Sequence, residues 1–176
     1  MKIAFSGTGS ISKIHALAAR TLGAQLVAVV NHRGESMAQF AQQFGIARQH
    51  KDVGEMLRAG GVEVLVVGTP NYLHAPETIA ALRAGVHVLV EKPMALNAAE
   101  ARAMLDAGAP TVHPSGFAHP RADHSPQSLY NAQLSYFFDC IRQQLVPVPG
   151  AAEGLCNMRI VDAAYESART SEVVHL

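Results

Sequence analysis

The chain contains 176 residues, a length that fits one domain or one domain with part of a second. Hydrophobic residues make up 49% of the sequence, enough for a sizeable core, so intrinsic disorder is excluded as the main state. The 14 Lys and Arg residues balance the 14 Asp and Glu residues, so the net charge does not favour binding to nucleic acid or to an anionic membrane.

Targeting signals and cysteines bear on the cellular compartment. No apolar run is long enough to cross a membrane, and Met1 leads directly into the first apolar segment without a signal peptide. Cys140 and Cys156 fall in helical patterns that carry no recognised motif. We therefore expect a cytoplasmic protein with two buried free thiols and no disulfide.

A glycine-rich turn follows the first predicted strand. Residues 3–5 form a short apolar run typical of a strand in a parallel sheet, and residues 7–12 (GTGSIS) lead into a helical pattern. The turn matches the dinucleotide-binding motif with Ser12 in the third glycine position. Gly7 permits a tight turn, and Gly9 lets the backbone approach a pyrophosphate near the unpaired N–H groups of the next helix.

The residues after the second predicted strand bear on cofactor choice. Residues 25–30 (QLVAVV) complete a right-handed βαβ unit, and Asn31, His32 and Arg33 follow them, with no carboxylate before Glu35. In such units an acidic residue here binds the ribose of NAD, whereas an Arg accommodates the 2′-phosphate of NADP. We therefore expect NADP. The alternative is that Arg33 is a solvated loop residue and the site accepts both dinucleotides.

The sequence up to residue 108 continues to alternate helices and strands. The spacing predicts a helix ending at Gly45, an edge segment at 47–50, a helix at 53–59, a strand at 62–67, a helix at 76–84, a strand at 86–90 and a helix from Asn97 to Gly108. This order predicts an α/β fold with a doubly wound parallel sheet of the Rossmann type. Ligands of such sheets bind at the carboxyl ends of the strands, where the loop 69–74 is expected to lie.

Two adjacent charges follow the buried strand at 86–90. A fold gains nothing from placing Glu91 and Lys92 next to its core, and Pro93 restricts the backbone of the lysine. An ammonium group held in this way beside a nicotinamide could hydrogen-bond a substrate hydroxyl and exchange its proton. The alternative interpretation is a surface ion pair at the end of a strand.

Three motifs occur in order along this part of the chain, namely GTGSISKIH at 7–15, GTPNYLH at 68–74 and EKP at 91–93. Together they resemble the amino-terminal domain of the Gfo/Idh/MocA oxidoreductases, the family of glucose–fructose oxidoreductase and inositol dehydrogenase, over residues 1–108. The resemblance implies hydride transfer between NAD(P) and a small-molecule substrate, which would be a sugar, a polyol or a related hydroxy or keto compound.

The resemblance also implies a role for each matched residue. The pyrophosphate turn would be lined by Gly7, Gly9, Ser10 and Ile11, and the adenosine end by Asn31, His32 and Arg33. The nicotinamide side would be flanked by Thr69, Pro70, Asn71 and His74. Glu91 would contact the nicotinamide ribose or carboxamide region, and Lys92 would be the catalytic lysine.

Beyond residue 108 the chain departs from the family. The resemblance implies a second domain with a large open β-sheet and an Asp-x-Gly-x-His-type segment, and the sequence contains neither. We predict an NAD(P)-binding domain at 1–119, a linker at 120–128, and at 129–176 the helices and terminal strand that remain of the family's α+β C-terminal domain. An internal deletion, a degenerate paralogue and an engineered chain all fit this arrangement.

The two predicted C-terminal helices carry apolar stripes. The first stripe comprises Leu134, Phe137, Phe138, Ile141 and Leu145, and the second comprises Leu155, Met158, Val161, Tyr165 and Ala168. Without the large sheet, part of these faces would be uncovered and available to a partner. The sequence leaves the oligomeric state open, including a homo-oligomer.

Other polar residues were considered for different chemistry. His113, His119, Asp123 and His124 match no zinc-binding spacing and lie in a proline-rich segment, so we predict no metal site. His15 follows the glycine turn and is expected to be a packing residue rather than a base.

Two functions remain open from the sequence. The first is an NAD(P)-dependent oxidoreductase in which Lys92 polarises the substrate oxygen. The second is a protein that binds NAD(P) without turnover. The sequence lacks both the large sheet of the second domain and the Asp-x-Gly-x-His-type segment, whose His, by the resemblance, helps to handle the substrate proton. Neither hypothesis involves nucleic acid or a membrane.

Overall fold

Strands and helices alternate through the first two thirds of the chain. The computed structural model describes residues 1–108, 112–114 and 125–176. Its elements in chain order are β1 (Lys2–Ser6), α1 (Ser10–Thr21), β2 (Gln25–Val30), α2 (Gly34–Phe44), β3 (Arg48–His50), α3 (Val53–Ala59), β4 (Val64–Val67), α4 (His74–Arg83), β5 (His87–Val90), α5 (Ala98–Asp106), β6 (Val112–Pro114), α6 (Pro126–Gln143) and α7 (Ala151–Thr170). A short 3₁₀ turn at Asn71–Leu73 precedes α4.

The six strands form one parallel sheet in the order β3-β2-β1-β4-β5-β6. The chain moves outward from β1 in one direction and then restarts on its other side at β4, which makes the gap between β1 and β4 the topological switch point. The register places Ser6 opposite both Val30 and Val67, and Val67 opposite Val90. The carboxyl ends of the four central strands therefore lie at one edge.

Alternate strand residues face two separate hydrophobic layers. On one face, Ile3 and Phe5 belong to a buried cluster with residues of α1, α2 and α6. On the other face, Ala4 and Leu65 belong to a cluster with residues of α3, α4, α5 and α7. Helices cover both faces, as expected for strands that are hydrophobic throughout. The predicted doubly wound α/β fold is confirmed.

The two C-terminal helices complete these layers. Helix α6 packs on α1 and buries Leu134, Phe137 and Phe138 in the same cluster as Phe5. Helix α7 packs on α5, with Leu155 and its neighbours in the opposite layer. The nucleotide-binding fold and the C-terminal segment therefore share hydrophobic cores.

Several details differ from the sequence-based expectations for this segment. Helix α6 begins at Pro126, inside the predicted linker, because Ser125 caps its first turn through the N–H of Ser128. The described residues after α7 form no strand, so the predicted terminal strand is not observed. The partly uncovered second stripe agrees with the expectation: it is buried only near the start of α7, and Tyr165 is 75% exposed. The thiol of Cys140 is buried as expected, but Cys156 is exposed.

Two further expectations concern membranes and metals. Within the described ranges, every helix is too short or too polar to pass through a lipid bilayer. The side chains of His113, His119, Asp123 and His124 lie outside the described residues. No group of three or more ligating side chains occurs among the residues that are described.

Candidate active site

Two adjoining cavities open at the carboxyl ends of the central strands. The larger, of about 690 Å³, is lined by the glycine turn and the loops after β2, β3 and β4. The smaller, of about 280 Å³, is lined by Ile11, Gly68, Thr69, Asn71, His74, Glu91, Lys92 and Tyr130. Because Gly68 and Thr69 border both cavities, the two form one elongated cleft along the switch point.

The two glycines of the turn have different structural roles. Gly7 has a φ of +89°, and a Cβ there would lie 2.5 Å from the carbonyl oxygen of Gly68. Gly9 precedes α1 as its N-cap, and a Cβ there would meet nothing within 4 Å. The turn therefore needs glycine at Gly7 for the close approach of β4, whereas Gly9 keeps the cavity open beside the start of α1.

Polar side chains tie the end of β2 to the glycine turn. The amide of Asn31 donates a hydrogen bond to the hydroxyl of Thr8, which also lies within hydrogen-bond distance of the Ser36 hydroxyl. The side-chain oxygen of Asn31 accepts from the N–H of Arg33 at 3.0 Å. These contacts hold His32 and Arg33 at the mouth of the larger cavity, where both side chains are exposed.

Three charged groups besides Arg33 lie along the same cavity. Lys51 and Asp52 reach it from the loop after β3, and Asp52 accepts a hydrogen bond from the N–H of Glu55 at the start of α3. Glu77 of α4 lies deeper and accepts from the hydroxyl of Thr69 at 3.1 Å. Burial raises the pKa of Glu77 above its ordinary value, and the hydrogen bond from Thr69 opposes that shift.

The smaller cavity contains the lysine that the sequence singled out. Lys92 follows β5 and has an exposed side chain on the cavity wall. Its neighbour Glu91 is buried, and its Oε1 lies 2.7 Å from Nε2 of the fully buried His15. A carboxylate only accepts hydrogen bonds, so Nε2 of His15 is the donor. This contact fixes the start of the Lys92 turn against α1.

His74 joins the two loops that border the smaller cavity. Its Nδ1 lies 2.7 Å from the carbonyl oxygen of Pro93, and its Nε2 lies 2.9 Å from the carbonyl oxygen of Thr69. The side chain is 1% exposed, so its ring mainly holds the Thr69 loop and the Lys92 turn at a fixed separation.

Most of the residues chosen from the sequence lie together in this cleft. The lining includes Gly7, Gly9, Ile11, Asn31, His32, Arg33, Thr69, Pro70, Asn71, His74, Glu91 and Lys92. Ser10 differs, because it is the first residue of α1 and lines neither of these two cavities. His15 also lines neither and is buried between Glu91 and Tyr130.

The structure adds lining residues that sequence reasoning did not select. They are Ser6, Thr8, Val30, Ser36, Lys51, Asp52, Gly68, Tyr72, Leu73, Glu77 and Tyr130. Thr8 lies within the glycine motif, which is a signal that could have found it. Glu77 and Tyr130 carry no such local signal, because their positions depend on how α4 and α6 pack.

A nicotinamide dinucleotide fits the chemistry of these residues. The open space above Gly9 beside the start of α1 is the kind of cradle that a diphosphate occupies. The basic side chains of Arg33 and Lys51 line the larger cavity, and the ammonium group of Lys92 lines the smaller cavity. This arrangement can bind an extended dianion and present a proton donor beyond it.

Comparison with known proteins identifies relatives over the same part of the chain. The model of the Gfo/Idh/MocA family, an oxidoreductase family with an NAD-binding Rossmann fold, matches residues 1–111. The chain is 31% identical over 106 residues to 4-carboxy-2-hydroxymuconate-6-semialdehyde dehydrogenase of Sphingobium sp., a match that covers 60% of this chain and 34% of that protein. It is 37% identical over 106 residues to glucose-6-phosphate 3-dehydrogenase of Bacillus subtilis, a match that covers 60% of this chain and 29% of that protein.

A solved structure shows the same fold. The WlbA dehydrogenase from Bordetella pertussis, in complex with NADH and UDP-GlcNAcA, matches with a TM-score of 0.58 and 32% identity over 61% of this chain and 34% of that one. The matched part of the chain thus spans about a third of the length of its relatives. With the family model covering residues 1–111, the chain belongs to the Gfo/Idh/MocA oxidoreductase family.

Proposed function

We propose that the cleft holds an extended nicotinamide dinucleotide, with its diphosphate at the glycine turn and its nicotinamide beside Lys92. One observation supports this most strongly: Gly9 and Lys92 border two cavities that join at Gly68 and Thr69. The proposal also agrees with the NADH bound to the related WlbA dehydrogenase. The larger cavity would take the adenosine and diphosphate portions, and the smaller would take the nicotinamide.

In this proposal the residues divide by their place along the cleft. Backbone groups of Gly7, Gly9, Ser10 and Ile11 would face the diphosphate, with Ser10 acting through its N–H at the start of α1. The adenosine end would contact Asn31, His32 and Arg33. The nicotinamide end would contact Thr69, Pro70, Asn71, His74, Glu91 and Lys92.

The larger cavity favours NADP over NAD in our proposal. Arg33, His32 and Lys51 surround its outer end, and the residue that ends β2 is followed by Asn31 rather than by a carboxylate. Asp52 also lines this cavity, and its Oδ1 already accepts a hydrogen bond from the N–H of Glu55 as the cap of α3. A 2′-phosphate would therefore meet basic groups, with which it can form charge-assisted hydrogen bonds.

The reaction proposed is hydride transfer with a sugar, a polyol or a related hydroxy or keto substrate. When bound, the nicotinamide supplies the hydride chemistry. Lys92 would hold the reacting oxygen of the substrate and exchange its proton, since its side chain reaches the cavity while Glu91 stays buried. Glucose-6-phosphate 3-dehydrogenase, named for a sugar substrate, supports this substrate class.

A second candidate function is dinucleotide binding without turnover. Among the described residues that line the smaller cavity, Tyr130 alone comes from beyond residue 108. The substrate side of the site is therefore built almost entirely from the nucleotide-binding fold. In this arrangement we propose a nucleotide-binding unit at 1–119 and a C-terminal remnant that begins with α6 at Pro126.

Turnover by lysine variants separates the two candidates. Wild type, Lys92→Ala and Lys2→Ala would be assayed with NADPH or NADP and a panel of sugars and polyols, with dinucleotide affinity measured in parallel. Lys2 lies at the opposite end of β1 and serves as the matched control. We expect Lys92→Ala to lose about 10²- to 10⁴-fold in turnover while it still binds dinucleotide. Dinucleotide binding by the wild type without turnover of any substrate would select the second function.

A further inference from the structure

The smaller cavity brings together residues from two distant segments of the chain. Ile11, the Gly68–His74 loop and the Lys92 turn come from the nucleotide-binding fold, and Tyr130 comes from α6. Among the residues that the structure describes, Tyr130 is therefore the one that the C-terminal segment contributes to the wall of this cavity. No local feature of the sequence marks this residue, and the proposed dinucleotide site does not require it.

The position of Tyr130 is fixed from two sides. Helix α6 packs on α1, where the amide of Gln127 donates to the carbonyl oxygen of Ile14 at 3.3 Å, and Leu134 of the same helix is fully buried. The ring of Tyr130 meets the ring of His15 edge-on, with 5.0 Å between centroids and an angle of 85°. The half-buried phenol is thus held beside the cavity rather than free to swing into solvent.

The hydrogen-bonding capacity of Tyr130 complements that of Lys92. Burial raises the pKa of the Tyr130 phenol above its ordinary value, and the nearby carboxylate of Glu91 raises it further, so the hydroxyl keeps its proton at neutral pH. A phenol both donates and accepts, whereas an ammonium group only donates. The cavity can therefore bind two oxygens of one molecule in different ways.

We propose that Tyr130 is a substrate-binding and specificity-determining residue, whose hydroxyl hydrogen-bonds a second hydroxyl of a polyhydroxylated substrate while Lys92 holds the reacting oxygen. The inference rests on the proposed function, because it needs a dinucleotide that extends along both cavities, with its nicotinamide in the smaller one, and a substrate beside Lys92. It narrows the substrate to compounds with at least two oxygens that can hydrogen-bond at once, as in sugars and cyclic polyols. A substrate with a single oxygen would gain nothing from the phenol.

Two Tyr→Phe variants on the same helix separate this role from packing. Tyr130→Phe keeps the ring contact with His15 and removes only the hydroxyl. Tyr136→Phe is the matched control, because the Tyr136 hydroxyl contacts the backbone of Val148 at the surface, with a distance of 3.0 Å to the Val148 nitrogen. Both variants are expected to fold, and circular dichroism and thermal unfolding would verify this.

Calorimetry would test the proposal in two steps. Each protein is titrated first with NADPH, and the NADPH-loaded protein is then titrated with scyllo-inositol, D-glucose and levoglucosan. We expect equal NADPH affinity in all three proteins, about five- to tenfold weaker sugar or polyol binding in Tyr130→Phe, and no change in Tyr136→Phe. Equal sugar binding by Tyr130→Phe and wild type, or no sugar binding by the NADPH-loaded wild type, would overturn the role of Tyr130. Failure at the first step would instead overturn the proposed function, and this inference with it.

Discussion

The carboxylate of Glu91 lies 2.7 Å from Nε2 of His15, and both side chains are buried. Glu91 directly follows β5, and His15 lies on α1, the helix that follows the glycine turn. Their hydrogen bond crosses the switch point of the sheet beneath the smaller cavity. It therefore fixes the lysine turn relative to the element that would bind the diphosphate.

Loss of this hydrogen bond should destabilise the fold. Glu91→Ala leaves the buried N–H of His15 without its acceptor, and an unsatisfied buried donor costs about 1–3 kcal/mol. Glu91→Gln keeps a side-chain oxygen that can accept from Nε2, so we expect it to cost about 1 kcal/mol or less. The free energy of unfolding in urea would measure both changes. Equal losses for the two variants would show that the hydrogen bond is not what stabilises this contact.

Two alanine substitutions in the glycine turn should have different effects. Gly7→Ala places a Cβ 2.5 Å from the Gly68 carbonyl oxygen at a positive φ, so we expect a loss of about 2 kcal/mol or more in unfolding free energy. Gly9→Ala meets nothing within 4 Å, so we expect stability within about 0.5 kcal/mol of wild type.

Dinucleotide affinity completes the comparison between the glycines. The methyl group of Gly9→Ala would occupy the space where the diphosphate approaches α1, and we expect affinity for NADPH to fall by about tenfold or more. Fluorescence titration would measure it. A Gly9→Ala protein that is stable and binds NADPH as well as wild type would place the diphosphate elsewhere.

Arg33 should control the choice between the two dinucleotides. Arg33→Ala removes a charge that can pair with the 2′-phosphate, so we expect affinity for NADPH to fall by about tenfold to a hundredfold. NADH has no such phosphate and is the internal control, with an expected change of less than about twofold. A parallel loss for both dinucleotides would mean that Arg33 contacts a part they share.

Glu77 should make dinucleotide binding depend on pH. Burial raises the pKa of Glu77 above its ordinary value of 4.5. The carboxyl therefore stays protonated when the pH passes 4.5 and becomes charged as the pH rises further. The charged form repels a diphosphate in the same cavity, so wild-type affinity for NADPH should fall with rising pH. Glu77→Gln should remove this contribution and bind about threefold more tightly at neutral pH, a factor that corresponds to roughly 0.6 kcal/mol.

Stability provides an independent check on Glu77. A carboxyl whose pKa is higher in the folded state binds its proton more tightly there, so stability falls as pH rises from 4.5 through the raised pKa. Glu77→Gln should flatten that part of the stability profile, measured by urea unfolding at several pH values. Identical pH profiles for wild type and variant would contradict the shift in pKa.

The nucleotide-binding fold was largely predictable from the sequence. Runs such as QLVAVV are typical of central strands in a parallel sheet, and α2 ends at Gly45, where a φ of +70° suits glycine. The motifs at 7–15, 68–74 and 91–93 follow β1, β4 and β5, which are neighbours in the sheet, and the carboxyl ends of parallel strands meet at one edge. Local pattern therefore sufficed to bring Gly7 and Lys92 to the same cleft.

The remainder depends on packing between distant segments. The sequence shows that α6 is amphipathic, but not that its packing on α1 places Tyr130 beside Glu91 and His15. Part of the apolar stripe of α7 was expected to be uncovered, but the sequence did not show which part. Leu155 and Met158 are buried, whereas Val161 and Tyr165 are exposed. Neither outcome is encoded in the periodicity of a single helix.

Calorimetric titration of the wild-type chain with NADPH and with NADH tests the central claim most directly. The proposed cleft predicts one dinucleotide per chain for each compound, with NADPH bound more tightly because of Arg33 and its basic neighbours. Absence of measurable binding of either dinucleotide at millimolar concentration, equivalent to an affinity weaker than about −4 kcal/mol, would contradict it.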